Sequence, residues 1–182
     1  MVRDILQIGN PILYKKSAPV AVKDIPSKEI QTLIQDMLET CAAHDEETAG
    51  LSGVQIGEPT RIFIIRRVDL ESEPWEVCIN PELEIDASVR STVWEGCLSI
   101  GTGAERVFGP VERPDHVKMT CLNEKGEQKT VDAKGYLAHI ILHEFDHLEG
   151  KLFLQYIADP SNIWRSEDLD EYLEENGTFP PS

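Results

Sequence analysis

In the stretch LAHIILHEFDHLEG, residues 137–150, two histidines stand four apart and a glutamate follows the first: His143, Glu144, His147. On a helix, positions four apart share one face, a turn apart. Two neutral imidazoles placed that way can grip one metal ion, and Glu144 can reach a water beside it. The chemistry of such a constellation is metal-assisted hydrolysis. A catalytic zinc or iron usually takes three protein ligands and keeps one position open, so a third donor is needed.

Phe153 stands where one large protease class, the metzincins, places its third histidine, which removes that class. Glu167 and Glu171 lie on a following helical segment, at the separation where thermolysin-like zinc proteases keep a glutamate ligand. His139 precedes His143 by one turn. The outer two of three consecutive i, i+4 positions are about 12 Å apart along one helix, so all three cannot share an ion. His139 therefore reads as a pocket-wall or core histidine. Cys97, in WEGCLSIG, offers a thiolate, a strong ligand for Fe²⁺ or Zn²⁺, and Gly96 lets the backbone come close to whatever the site binds. On the residues alone, both Cys97 and the two glutamates stay open.

The elements that must position these groups read as α+β, with antiparallel β-sheets packed around a buried central helix that carries HExxH, and a peripheral C-terminal helix. Residues 1–23 read as an extended arm punctuated by the GNP turn. From Ser27 to Ala43 the apolar residues Ile30, Leu33, Ile34, Met37, Leu38 and Cys41 repeat at helical spacing, with Asp24 or Ser27 as cap. Short β-like segments follow in RIFIIRR, EVCINPEL and the run from Val107 to Ala133, where NEKG makes a turn between two strands. After Gly135 a helix runs to about Glu149, apolar on nearly every face and so expected in the core. Asp159–Glu175 shows helical spacing in Ile163, Trp164, Leu169, Tyr172 and Leu173. The whole chain, 1–182, reads as one catalytic domain, with 159–182 an acidic helix and tail.

Seventeen basic against 33 acidic residues give a formal charge of −16. That balance argues against a nucleic-acid surface and against binding to anionic membranes. The apolar runs, such as IFII at 62–65, are too short to span a bilayer. Asp4 and Gln7 interrupt the apolar stretch a secretion signal would need, so a cytoplasmic location is expected. Cys41, Cys78, Cys97 and Cys121 are scattered singly, which reads as free thiols rather than a disulfide framework.

EGCLS (95–99) and HEFDH (143–147), preceded by GLSGVQ (50–55), resemble the three ordered motifs of the peptide deformylase family. The resemblance runs from about Ile5 to Tyr156 and takes in ILQIGNPIL, INPEL and HLEGKLF. It implies a hydrolase that removes the N-formyl group from the N-terminal methionine of new polypeptides and releases formate. It implies Cys97, His143 and His147 as ligands of one divalent ion, Fe²⁺ natively, with Zn²⁺, Ni²⁺ or Co²⁺ accepted. Glu144 would be the general base, with the Gln55 amide and the Leu98 backbone N–H as oxyanion donors. The substrate, an N-formyl-methionyl nascent peptide met at the ribosome, would pair with Gly50 and Gly96, its methionine pocket walled in part by His139. A monomer is expected.

The chain departs from the family at the first motif. Thr48-Ala49-Gly50-Leu51-Ser52-Gly53-Val54-Gln55 stands where Gly-x-Gly-Leu-Ala-Ala-x-Gln is usual. Leu142 replaces a frequent glutamine, His139 a pocket-lining apolar residue, and the connection GTGAERVFGPVER is longer. The rival readings are an HExxH zinc metalloprotease using Glu167 or Glu171, and a catalytically impaired binding protein of the same shape.

Overall fold

A computed structural model describes residues 1–181. The arm passes through short 3₁₀ turns at Pro11–Tyr14 and Val22–Asp24 before α1, Lys28–Ala43, which Ser27 caps by accepting from the Ile30 N–H. Strand β1 (Gly50–Ser52) runs into a 3₁₀ turn at Gly53–Ile56. Then come β2 (Ile62–Arg66), β3 (Trp75–Gly96), β4 (Val107–Leu122), β5 (Gln128–Lys134) and α2 (Tyr136–Leu148). A two-residue strand β6 (Trp164–Arg165) and α3 (Ser166–Asn176) end the chain.

Several sheets were the expectation; the protein has one. Its strands lie in the order β1-β2-β3-β4-β5, all antiparallel, with β6 paired to β4. The single sheet can wrap because β3 and β4 are long and their pairing is broken by bulges at Ile79/Glu82 and Asp86/Arg90. At the first bulge Asn80 takes a left-handed φ of 50°, a conformation asparagine tolerates, and its side-chain amide pairs with both backbone groups of Val20. The arm is tied to the sheet there.

Around β2 both faces of the sheet are covered. On β2, Ile62 and Ile64 pack toward α1 with Leu33, Met37 and Ile79, while Phe63 and Ile65 pack toward α2 with Met119, Ala138 and Ile141. The unbroken IFII run is the signature of a strand buried on both sides. Helix α2 begins at Gly135, whose φ of 57° suits glycine, and ten of its residues are buried. The C-terminal helix starts at Ser166 rather than Asp159. Asp159 caps a 3₁₀ turn at Pro160–Asn162, and pairing with Val107 and Phe108 draws Trp164–Arg165 into the sheet. No helix among the described residues is long and apolar enough to cross a membrane.

Candidate metal centre

Three elements meet beside α2. The 3₁₀ turn after β1 brings Gln55, the loop after β3 brings Cys97, and α2 brings His143, Glu144 and His147. One ligand-type atom each from Cys97, His143 and His147 lie within 4.8 Å of one another, the single such group of three among the described residues. Glu167 and Glu171 lie exposed on α3, outside the group. Cys97 Sγ stands 3.3 Å from His147 Nε2 and accepts from the Ser99 N–H (3.4 Å) and Gln55 Nε2 (3.5 Å). A cysteine sulfur brought within 3.3 Å of an imidazole nitrogen is placed as a metal-ligand pair would be. The imidazoles of His143 and His147 stand at 76° with centroids 5.0 Å apart. The donor set therefore fits one divalent ion of borderline softness.

Behind the ligands lies a buried ionic network. Glu95, on β3, accepts from His143 Nδ1 at 2.8 Å and so turns His143 Nε2 toward the cluster. The same carboxylate takes a bidentate pair from Arg113 (2.5 and 3.0 Å), and Arg113 also donates to Asp146 (2.7 Å), which accepts from Tyr156 Oη (2.9 Å). Burial alone would raise the Glu95 pKa, but hydrogen bonds from His139, His143 and Arg113 outweigh it and hold the carboxyl far below its usual range. Burial pushes the His147 pKa well down, and the positive charges of His143 and Arg113 act the same way. A neutral imidazole is the form that ligates; His143 goes the other way, since burial is outweighed by its hydrogen bonds to Cys97 and Glu95 and its pKa is raised, so an ion bound there would displace its proton.

Glu144 is buried with its Oε2 accepting from Ser52 Oγ at 2.7 Å, and the same hydroxyl reaches the Glu144 carbonyl at 3.0 Å. Burial lifts the Glu144 pKa to about 7. Gln55 is only 2% exposed; its Oε1 accepts from the Ser52 N–H (2.8 Å), which aims Nε2 at Cys97 Sγ and Ser99 Oγ (3.2 Å). The Leu98 N–H takes part in no hydrogen bond among the described residues. These groups open on a cavity of about 120 Å³ whose walls include Gly50, Gly96, His139 and Ile140.

The two glycines have packing reasons of their own. A Cβ on Gly50 would stand 2.6 Å from Glu144 Oε1, and one on Gly96 would meet the Phe108 ring at 2.5 Å. His139 is held between Ser91 Oγ (2.9 Å from Nε2) and Glu95 (3.5 Å from Nδ1), and Ser91 in turn donates to Asp115 (2.6 Å). Arg113, Ser91 and Tyr156 had no place in the sequence reading, Glu95 entered it only as part of EGCLS, and Ser52 only as a departure in the first motif. The partners of Glu95 lie 18 and 48 residues away in the chain, so no local pattern announces them.

The family model for polypeptide deformylase matches residues 2–162. Peptide deformylase 1 of Ralstonia nicotianae is 40% identical over 156 residues, covering 85% of this chain and 86% of that one. The peptide deformylase of Clostridium botulinum is 42% identical over 152 residues, covering 84% and 94%. Among solved structures, the actinonin-bound class I type b peptide deformylase of Acinetobacter baumannii superposes with a TM-score of 0.77 at 30% identity, covering 87% of this chain and 99% of that one. The same enzyme bound to Met-Ala-Ser gives 0.74 at 30% identity, covering 86% and 99%.

Proposed function

Because the chain belongs to the polypeptide deformylase family, we propose that Cys97, His143 and His147 hold the divalent ion of a hydrolase that removes the N-formyl group from nascent peptides. The observation that carries the assignment is the convergence of those three side chains, with Glu144 and Gln55 opening on the same cavity. When bound, the ion supplies Lewis acidity and makes water nucleophilic near neutral pH. One thiolate and two imidazoles accept Fe²⁺, Zn²⁺, Co²⁺ or Ni²⁺; we take Fe²⁺ as the native ion.

The rest is the work of side chains. Glu144 keeps Oε2 on Ser52 and has Oε1 free to take a proton from the attacking water. It then delivers that proton to the amine nitrogen as the formyl C–N bond breaks and formate leaves. Gln55 Nε2 and the Leu98 N–H donate to the formyl oxygen as charge collects there, each worth on the order of 3 kcal/mol. The peptide lies extended, with main-chain bonds to Gly50 and Gly96 as an added strand. Its methionine side chain enters the cavity wall formed by His139 and Ile140. Main-chain recognition suits a broad set of nascent chains, met at the ribosome by a cytoplasmic monomer.

The test is formate release from N-formyl-Met-Ala-Ser after anaerobic loading with Fe²⁺, with metal content measured alongside. Turnover in the parent, loss of metal in Cys97→Ala, and retained metal without turnover in Glu144→Ala are expected. Metal retained at parental level in Cys97→Ala would overturn the ligand set.

A further inference from the structure

The C-terminal segment stacks aromatic rings on Trp94, a residue of the cavity wall, and the chemistry assigned above uses none of them. Trp94 sits on β3, three residues before Cys97, and lines the cavity. Its indole stacks on the Phe179 ring, with centroids 5.6 Å apart and planes 14° from parallel. The Trp164 ring meets Trp94 edge-on at 6.5 Å and Tyr172 edge-on at 5.2 Å.

This placement is built by several contacts. Trp164 pairs with Phe108 in the sheet, and the Ser166 N–H donates to the Arg106 carbonyl at 2.8 Å. Leu169 anchors α3 from its buried face, and Gly177, with a left-handed φ of 69°, turns the chain back so that Phe179 reaches Trp94. Phe179 remains 50% exposed, and Tyr136, at the start of α2 in the same cavity wall, is 54% exposed. One half-exposed ring stacked on a residue of the cavity wall, with a second half-exposed ring in that wall, is the composition of a recognition surface rather than of a core.

The geometry points to Trp94 and Phe179 as a subsite for an aromatic or large apolar side chain carried by the peptide downstream of its formylated residue. The assignment rests on the deformylase reading, because it takes the extended peptide as occupant. An added strand advances about 3.3 Å per residue. A substrate anchored at Gly96 therefore passes Trp94 within its first three residues. Stacking on a preformed aromatic pair favours flat or bulky side chains and offers nothing to small polar ones.

The experiment compares N-formyl-Met-Ala-Ser with peptides carrying phenylalanine at the second or the third position. It uses the metal-loaded parent, Phe179→Ala, Trp94→Ala and the conservative Trp94→Phe. In the parent, one of the two phenylalanine peptides should exceed Met-Ala-Ser in kcat/KM by about three- to tenfold, the range of an aromatic pair. The preference should fall below about twofold in Phe179→Ala and Trp94→Ala and survive in Trp94→Phe. Calorimetric Kd values, measured in a Glu144→Ala background, should move by the same ratio. Phe179 lies in the tail, so its truncation tests the subsite without disturbing the sheet. Equal affinity for all three peptides in the parent, or a preference undiminished in Phe179→Ala, would overturn the subsite. Absence of formate from every peptide would sink the deformylase reading instead, and the binding measurement would still decide on the subsite.

Discussion

Glu144 occupies the space that a side chain on Gly50 would need: a Cβ there would stand 2.6 Å from its Oε1 and 2.7 Å from its Cγ. The glycine at position 50 is thus required by the carboxylate on α2. Gly50→Ala should push Glu144 aside and lower kcat on a formyl peptide by about 100-fold, the scale of an ångström of misplacement. Metal content should match the parent, since no ligand touches Gly50; a Gly50→Ala protein with parental kcat would refute the steric reading.

Glu95 turns His143, one of the three proposed ligands, through its Nδ1 and is itself fixed by Arg113. Glu95→Gln should weaken metal affinity about 10- to 100-fold, as loss of a carboxylate partner to a ligating histidine does. Competition with a fluorescent chelator measures it. Affinity within twofold of the parent would show that the His143 ring is held by packing alone.

Arg113 is 4% exposed and stands between two carboxylates, Glu95 and Asp146. Arg113→Met would leave both buried without their guanidinium, Glu95 keeping only the histidines and Asp146 only Tyr156, and breaking a buried pair this way costs about 3–5 kcal/mol. The midpoint of urea unfolding should fall accordingly, with an unchanged slope. A shift worth under about 1 kcal/mol would mean that water replaces the guanidinium.

Glu76 pairs with Arg67 and Lys129, each at 2.5 Å. Burial opposes its ionisation, but the hydrogen bonds from Arg67 and Lys129 prevail and lower its pKa. A carboxyl with a depressed folded pKa contributes stability that is present above its unfolded pKa, near 4.3, and is lost as pH falls through the folded value. Unfolding midpoints taken from pH 7 down to pH 3 should therefore drop less steeply in Glu76→Gln than in the parent. Parallel curves would remove Glu76 from the acid transition.

His139 lines the cavity with Nε2 bonded to Ser91 Oγ, while its buried Nδ1 stands 3.5 Å from Glu95 without a hydrogen bond. His139→Ile should raise the ratio of kcat/KM for N-formyl-methionyl over other formyl peptides by making that wall apolar. It should also cost about 1–3 kcal/mol by stripping buried polar groups of a partner. An unchanged ratio would place the methionine side chain elsewhere.

What the sequence made legible was what repeats locally. Helix α1 and its Ser27 cap, the NEKG turn and the buried α2 follow from spacing, capping and glycine alone. The far half of β3 was passed over although it carries a strand signal. From Glu82 to Arg90 the apolar Leu83, Ile85, Ala87 and Val89 alternate with polar residues, and pairing with β4 holds them as strand although most of them are exposed. Trp164 fitted a helical stripe, yet it serves β6 and the aromatic ladder. In the site, the HExxH spacing is local and therefore readable. The Ser52–Glu144 bond spans 92 residues and the Arg113–Asp146 bond 33, and neither leaves a trace at either end.

The arm at the start of the chain runs beside the metal loops. Leu6 N–H donates to Gln55 O and Ile8 N–H to Ser99 O, each at 2.8 Å, while Gln7 donates to Leu98 O and accepts from the Gly101 N–H. Each of these bonds closes a span of the chain whose ordering entropy must be met before the contact rewards it. The arm is thus a latch over the loops that carry Gln55, Cys97 and Leu98, and its opening would loosen all three at once. Protection of the Leu6 and Ile8 amides against hydrogen exchange then becomes a gauge of how tightly the site is held, readable in a protein that has never met its substrate.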